Sequence, residues 1–434
     1  MPKLFLHALG CKTNQYENLA LTQQLIDQGF DLVDKMQDAD VGILNTCTVT
    51  AEAGRKSRQM LRRMKKQNPE ALIVAMGCYA QLSDVSADCD IAVGTSQRNL
   101  IPKLILQKLR LAETSEITSQ DLRPLGKISQ ETDYEELGIV SIQKDTRAQI
   151  KIQDGCNEFC SYCTIPLARG RIRSRSRENI LREVEALVNE GHKEVVLTGI
   201  HICSFEKEKG RNSDALAELC LELNRITALE RIRLGSLEPL SVTEQFLQIL
   251  KGADKVCPHF HLSLQSGSDT VLQRMRRSYN TVQYQERVRM LRQIYKDPSI
   301  TTDVMVGFPE ETEQEFLESL EFVRRINFSK IHVFPYSVRQ DTLAAKMKQV
   351  PGQITKQRAK AMLELAEDLS VKYAKQFVGR RVEVLLEDEF EDYIRGYTKH
   401  YVRTYIVNNN YQSGEIKNVL ITDVRKDDLF GKIV

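Results

Sequence analysis

The chain has 434 residues, room for about three domains of roughly 150 residues each. Its 61 Lys and Arg against 59 Asp and Glu leave a net charge of +2, which excludes a globally basic nucleic-acid binder and confines any such function to local patches. Ten cysteines in so long a chain, with no apolar run near the roughly 18 residues of a membrane span, argue against a disulfide-framed secreted fold or a membrane protein; they point to free thiols or metal ligands in a reducing cytoplasm.

Residues 1–110 alternate β-type runs (4–9, 41–44, 72–76, 91–93) with helical patterns (16–28, stopped by Gly29, then 51–66 and a last helix to about 109), which predicts a parallel sheet flanked by helices. Cys11, Cys47 and Cys78 each follow a β-run, in LFLHALGC, VGILNTC and LIVAMGC. Ligands of open α/β sheets bind beyond the carboxyl ends of the strands, so these three thiols are expected to meet on one edge. Cys89 lies outside the pattern and reads as packing, as do Cys203, Cys220 and Cys257 further on. Residues 111–145 turn polar without clear periodicity and read as a connection.

A second alternation fills residues 146–375, with β-runs at 148–153, 194–197, 231–234, 260–264, 300–306 and 331–335 between helical patterns at 178–189, 215–226, 243–250, 284–295 and 313–325. Two of these helices are expected to open with capping boxes, Ser241 with Glu244 and Thr312 with Glu315. Six strands suggest an incomplete β/α barrel, although an open doubly wound sheet gives the same string. Cys156, Cys160 and Cys163, spaced CxxxCxxC, follow the first strand, where barrel chemistry sits. Three close thiolates suit an iron-sulfur cluster, and since a 4Fe-4S cube takes four ligands, one iron is left open. Thr198 and Gly199, Ser236 and Glu238, Gln265 to Gly267, and Gly307 to Pro309 end the other strands and would ring the same mouth, with His201 a further candidate.

Arginines at 169, 171, 173, 175 and 177 would share one face of an extended segment, and their repulsion calls for a phosphate backbone or an acidic wall. Another basic run, from Arg55 to Lys66, crowds one helix of the first unit and reads as a solvated face. After a helical stretch at 357–377, residues 376–434 form a β-rich tail. Between Tyr393 and Tyr405 its odd positions read Tyr, Arg, Tyr, Lys, Tyr, Arg, Tyr, a face fit to stack exposed bases and attract phosphate. The acidic run 387–392 reads as a loop.

Taken together, LGCKTNQYE, NTCTVT, MGCYAQ, DGCNEFCSYC with PLARG, SLQSGSD and VGFPEET resemble the methylthiotransferases of the radical S-adenosylmethionine superfamily over essentially the whole chain. NTCTVTAEAGRKSR and DGCNEFCSYCTIPLARGRIRSRS look most like the branch acting on N6-threonylcarbamoyladenosine of tRNA; the isopentenyladenosine branch and the branch acting on a ribosomal-protein aspartate are the alternatives. The resemblance implies an N-terminal α/β domain, an incomplete (β/α)6 barrel and a small all-β module like TRAM that contacts RNA. It implies two 4Fe-4S clusters. Cys156, Cys160 and Cys163 would hold one, whose open iron chelates S-adenosylmethionine for cleavage to a 5′-deoxyadenosyl radical. Cys11, Cys47 and Cys78 would hold the other, which carries the transferred sulfur, a second S-adenosylmethionine giving the methyl group. Tyr162, Thr198, Gly199, Ser236, Glu238, Gln265 and Gly307 become candidate cofactor contacts. An electron donor such as flavodoxin or ferredoxin, a sulfur source and tRNA are the implied partners. The alternative of another class is a non-enzymatic RNA-binding zinc protein.

Overall fold

The computed structural model describes residues 1–111, 128–143 and 145–434. An N-terminal parallel sheet comes first, built from β1 (Lys3–Ala8), β2 (Asp31–Leu32), β3 (Val41–Thr46), β4 (Leu72–Gly77) and β5 (Ile91–Ala92) in the order β2-β1-β3-β4-β5. Every residue of β3 is buried, as expected of a central strand covered on both faces. The helices α1 (Lys12–Asp27), α2 (Ala51–Gln67), α3 (Cys78–Leu82) and α4 (Ile101–Lys108) supply that cover, and two apolar clusters fill the two faces.

The polar connection is partly packed. Of residues 111–145, 112–127 and 144 lie outside the described residues, but Leu137 and Val140 bury themselves against Tyr16 and Ala20 of α1. Glu135 and Glu136 of this polar connection reach Arg98 and Arg175.

The second unit is an open barrel of parallel strands: β6 (Arg147–Lys151), β9 (Glu194–Thr198), β10 (Arg231–Leu234), β11 (Ser236–Leu237), β12 (His259–Leu262), β13 (Ser299–Val306) and β14 (Lys330–Pro335), with a small antiparallel pair, β7 (Gln153–Asp154) and β8 (Arg173–Ser174), beside β6. The run 231–237 is one strand broken at Gly235: β10 pairs with β9, and β11 pairs with β12 on its other side, which joins a three-stranded to a four-stranded sheet. The short α5 (Ile165–Arg169) precedes the outer helices α6 (Arg177–Asn189), α7 (Asp214–Asn224), α8 (Glu244–Leu250), α9 (Asp269–Arg274), α10 (Thr281–Ile294) and α11 (Glu313–Ile326), and one large apolar core fills the space between the outer helices and the sheet.

The capping boxes divide. Thr312 accepts from Glu315 N–H while the Glu315 side chain returns to the Thr312 N–H, as expected. Ser241 does not cap α8, because it closes a 3-10 turn; Thr243 takes the role, accepting from Phe246 N–H. A second box, Asn280 with Gln283, opens α10.

The long α12 (Gly352–Lys375) couples barrel to tail. Met362, Leu365, Ala366 and Leu369 belong to the barrel core, while Tyr373 and Ala374 belong to that of the tail. The tail closes into a five-stranded barrel of β15 (Arg381–Phe390), β16 (Tyr393–Thr398), β17 (Arg403–Val407), β18 (Ile416–Arg425) and β19 (Asp428–Ile433), in the order β15-β16-β17-β19-β18. Glu387 to Phe390, expected in a loop, continue β15, since Glu387 and Asp388 find Arg147 and Arg395.

Candidate active site: two cysteine triads joined by a buried arginine

Cys156, Cys160 and Cys163 sit in the loop after β7, and the Cys156 thiol feels the charges of the other two. Burial pushes Cys156 up to about 12 and Cys163 up to about 11. Backbone donors oppose that: Glu158 N–H points at Cys156 Sγ (3.4 Å) and Ile165 N–H at Cys163 Sγ (3.5 Å). The third thiol meets a cation. Arg277 Nη1 donates to Cys160 Sγ at 3.2 Å, and its Nη2 pairs with Glu238. Nothing in the sequence singled out Arg277, which lies 117 residues away from Cys160.

Cys11, Cys47 and Cys78 are also brought together. Cys11 stands at the residue before α1, Cys47 follows β3, and Cys78 opens α3 directly after β4. The approach is close enough to dictate glycine: a Cβ on Gly10 (φ +100°) would stand 2.6 Å from Cys47 Sγ, and one on Gly77 (φ +95°) 2.2 Å from Asn45 Oδ1. Asn14 ties the loops, donating to Leu9 O (2.9 Å) and Thr46 O (3.0 Å).

The arginine run meets an acidic wall and takes no extended form at its start, since Arg169 lies in α5. Arg175 pairs with Glu136 and Glu183, and Arg177 with Glu206, Glu218 and Glu222. Arg169 is wholly buried and joins the triads: six residues after Cys163, its Nε donates to Cys78 Sγ (3.2 Å). Its Nη1 donates to Glu17 (2.7 Å) and Asp154 (3.0 Å), and its Nη2 to Asn14 Oδ1 (2.7 Å). Among the described residues, this ionic cluster sets Glu17, Glu135 and Asp154 against Arg98, Lys151, Arg169 and Arg173. Three carboxylates against four cations leave one positive charge over, which a Cys78 thiolate would balance. Burial pushes the Cys78 thiol up to about 12 against the pull of Arg169, so the anion needs a further positive partner, as an iron-sulfur cluster provides.

A cavity of about 570 Å³ runs inside the half-barrel from Cys11 and the strand ends Thr198, Gly199 and Ser236 toward the tail. Among the other candidates, Glu238 is buried against Arg277, Gln265 holds φ +67°, and the Tyr162 ring packs edge-on against Phe308 at 6.4 Å. Like Tyr162, Glu238 and Gln265, Gly307 (φ +68°) does not line the cavity: its N–H donates to Glu311 and a Cβ there would meet Thr355 of α12. His201 lies beside Glu238, and burial holds its ring down to about 4.

The tail's alternating stripe splits. Odd residues of β16 and β17 share the outer face across the hairpin, with Arg395 opposite Tyr405 and Tyr397 opposite Arg403. Tyr393, Tyr405 and Phe430 make an aromatic patch, Tyr405 stacking on Phe430 at 5.0 Å. Tyr397 and Tyr401 turn instead to the cavity, stacked at 4.9 Å with Arg147 over both rings. Arg395 and Arg403, expected to attract phosphate, pair with Asp388 and Asp428.

Residues 150–323 match the radical SAM superfamily, and residues 3–90 match the uncharacterized protein family UPF0004. Threonylcarbamoyladenosine tRNA methylthiotransferase MtaB of Bacillus subtilis (strain 168) is 38% identical over 433 residues, 97% of this chain and 94% of that protein. The tRNA-2-methylthio-N(6)-dimethylallyladenosine synthase of Desulforamulus reducens is 32% identical, over 100% of this chain and 96% of the relative. The chain belongs to the radical S-adenosylmethionine methylthiotransferase family.

Among solved structures, the radical S-adenosylmethionine methyltransferase TsrM from Kitasatospora setae shares the fold, with a TM-score of 0.61 and 15% identity over 79% of this chain and 77% of that one. The non-enzymatic alternative falls with membership of a methylthiotransferase family, whose radical SAM chemistry uses S-adenosylmethionine and a 4Fe-4S cluster. No three His, Cys, Asp or Glu side chains among the described residues are gathered to ligate one metal ion. Thiols around a larger body such as an iron-sulfur cube are not held to that spacing. Glu238 Oε1 and Gln265 Oε1 are buried without a partner, acceptors that the N–H and O–H donors of S-adenosylmethionine would fit. No helix among the described residues is long and apolar enough to cross a membrane.

In this methylthiotransferase, removing one member of a buried ion network leaves the others uncompensated at a cost of about 3–5 kcal/mol. Arg169→Met should therefore lower stability by that amount and shift the thermal midpoint down by several degrees. Arg169→Lys, which keeps the charge and loses the fork, should fall between. An unchanged midpoint for the Met variant would refute the role of the network.

Proposed function

We propose that this protein inserts a methylthio group at C2 of N6-threonylcarbamoyladenosine at position 37 of tRNA, next to the anticodon. The reading is carried by the bond from Arg169 to Cys78, which puts two three-thiol nests at the two ends of one short helix and its buried charges. Cys156, Cys160 and Cys163 would hold the cluster that binds S-adenosylmethionine, and Cys11, Cys47 and Cys78 a second cluster. When bound, these groups supply a radical able to break an unactivated C–H, the sulfur and the methyl group.

The chain's own residues have separate tasks. Arg277, fixed by Glu238, steadies the Cys160 thiolate. Asn14 and Arg169 hold the second nest at a set place beside the first. The Tyr393, Tyr405 and Phe430 patch offers rings on which unpaired bases can stack, each worth about 1–3 kcal/mol. A one-electron donor such as flavodoxin or ferredoxin and a sulfur source complete the requirements, in the cytoplasm where tRNA is modified.

The name of the B. subtilis relative supports the threonylcarbamoyl substrate, and that of the D. reducens relative supports a prenylated adenosine as the second reading. Mass spectrometry of tRNA nucleosides from cells with and without this protein decides between them. Loss of the 2-methylthio form of N6-threonylcarbamoyladenosine alone is expected. Loss of the prenylated form alone would transfer the reading, and intact tRNA with a lost methylthio-aspartate would move it to protein.

A further inference from the structure

The cavity inside the half-barrel has the volume of a small-ligand site and, among the described residues, one lysine on its lining without an ion pair or a hydrogen bond. Of the charged residues around it, Arg233 is committed to Glu194 and to the carbonyls of Thr398 and Lys399, Arg403 to Asp428, and Lys330 to Asp427. Lys12, the residue after Cys11, lines the same cavity, and among the described residues its ammonium has neither an ion pair nor a hydrogen bond. Part of its wall is polar: Ser299, Thr301 and Asp303 of β13 line it, and His261 bonds Thr301 (3.0 Å) and lies 3.2 Å from Asp303. His259 Nδ1 is buried there without a partner.

We propose that this cavity receives the amino-acid side chain carried on N6 of the substrate adenosine, and that Lys12 binds its carboxylate. This rests on the threonylcarbamoyl reading and assigns a residue to it. A threonylcarbamoyl group brings one carboxylate, one hydroxyl and a urea, each with a polar partner to meet in such a wall. A prenyl group would strip water from the same wall and return nothing, at a cost of the order of a few kcal/mol for unpaired polar groups. A carboxylate held by Lys12, the residue after Cys11, keeps the substrate beside the second nest. Selection is then by charge, with Lys12 as a specificity residue rather than a group that touches the reacting carbon.

The test compares reconstituted full-length protein with its Lys12→Met and Lys12→Arg variants, matched in iron content. Each is titrated with one anticodon stem-loop bearing adenosine, N6-threonylcarbamoyladenosine or N6-isopentenyladenosine at position 37. The unsubstituted protein should bind the threonylcarbamoyl RNA about 10- to 100-fold more tightly than the adenosine RNA, the range of one charge-assisted hydrogen bond. Lys12→Met should lose that preference, leaving affinity for the adenosine RNA within about twofold, and Lys12→Arg should keep most of it. A preference retained by Lys12→Met overturns the proposal and leaves the function standing. So does equal weakening on all three RNAs, which would make Lys12 a phosphate contact. If the unsubstituted protein prefers the isopentenyl RNA, the substrate reading itself fails.

Discussion

Cys160→Ala should give a protein that makes no 5′-deoxyadenosine from S-adenosylmethionine and carries about half the iron of the unsubstituted chain. The reason is stoichiometric: a cube held by three thiolates with one open iron has no fourth protein ligand in reserve, so losing one releases it. The fold should survive. Cys160 is only partly buried, and Arg277 keeps Glu238 and the Tyr279 hydroxyl when the sulfur is gone. The thermal midpoint should stay within a few degrees, which separates loss of the cluster from loss of the protein. Turnover to 5′-deoxyadenosine by this variant would remove Cys160 from the cluster.

The positions of the thiols were readable because strand periodicity and punctuation are local. A β-run ending in Gly-Cys tells where the chain turns, and the structure uses Gly10 and Gly77 for that close approach. What the thiols face was not readable. Arg169 finds Glu17, 152 residues away, and Arg277 finds Cys160 across 117; pairs so distant leave no periodic trace. Glu17, wholly buried, looks in the sequence like any polar residue of an amphipathic helix. The tail's stripe was half readable for a related reason. Alternation predicts which residues share a face, and Tyr393, Arg395, Tyr397, Arg403 and Tyr405 do. It does not predict that the hairpin will dock on the barrel, where Arg231 and Arg233 donate to the carbonyls of Tyr397, Thr398 and Lys399 and turn Tyr397 and Tyr401 inward.

That docking and the Arg169 network together set what the second nest can be asked to show. Cys47→Ala should leave formation of 5′-deoxyadenosine within a few-fold of normal while methylthiolated tRNA falls to background. Cys47 touches none of the groups that steady the first nest: Glu158 and Ile165 N–H, Arg277 and Glu238 all lie on the barrel. The backbone at Cys47 is held by its own N–H donating to Ser57 Oγ (3.0 Å), and Arg169 still donates to Cys78. The local scaffold therefore persists while one thiolate of three is missing. Iron should again fall by about half, but here the remaining half supports cleavage. The two alanine variants thus give opposite results in the 5′-deoxyadenosine assay and the same result in the tRNA assay, a pattern that unfolding of the whole chain cannot mimic. Full methylthiolation by Cys47→Ala would refute a sulfur-carrying role for the second nest, and loss of 5′-deoxyadenosine would mean that the nests are one functional unit.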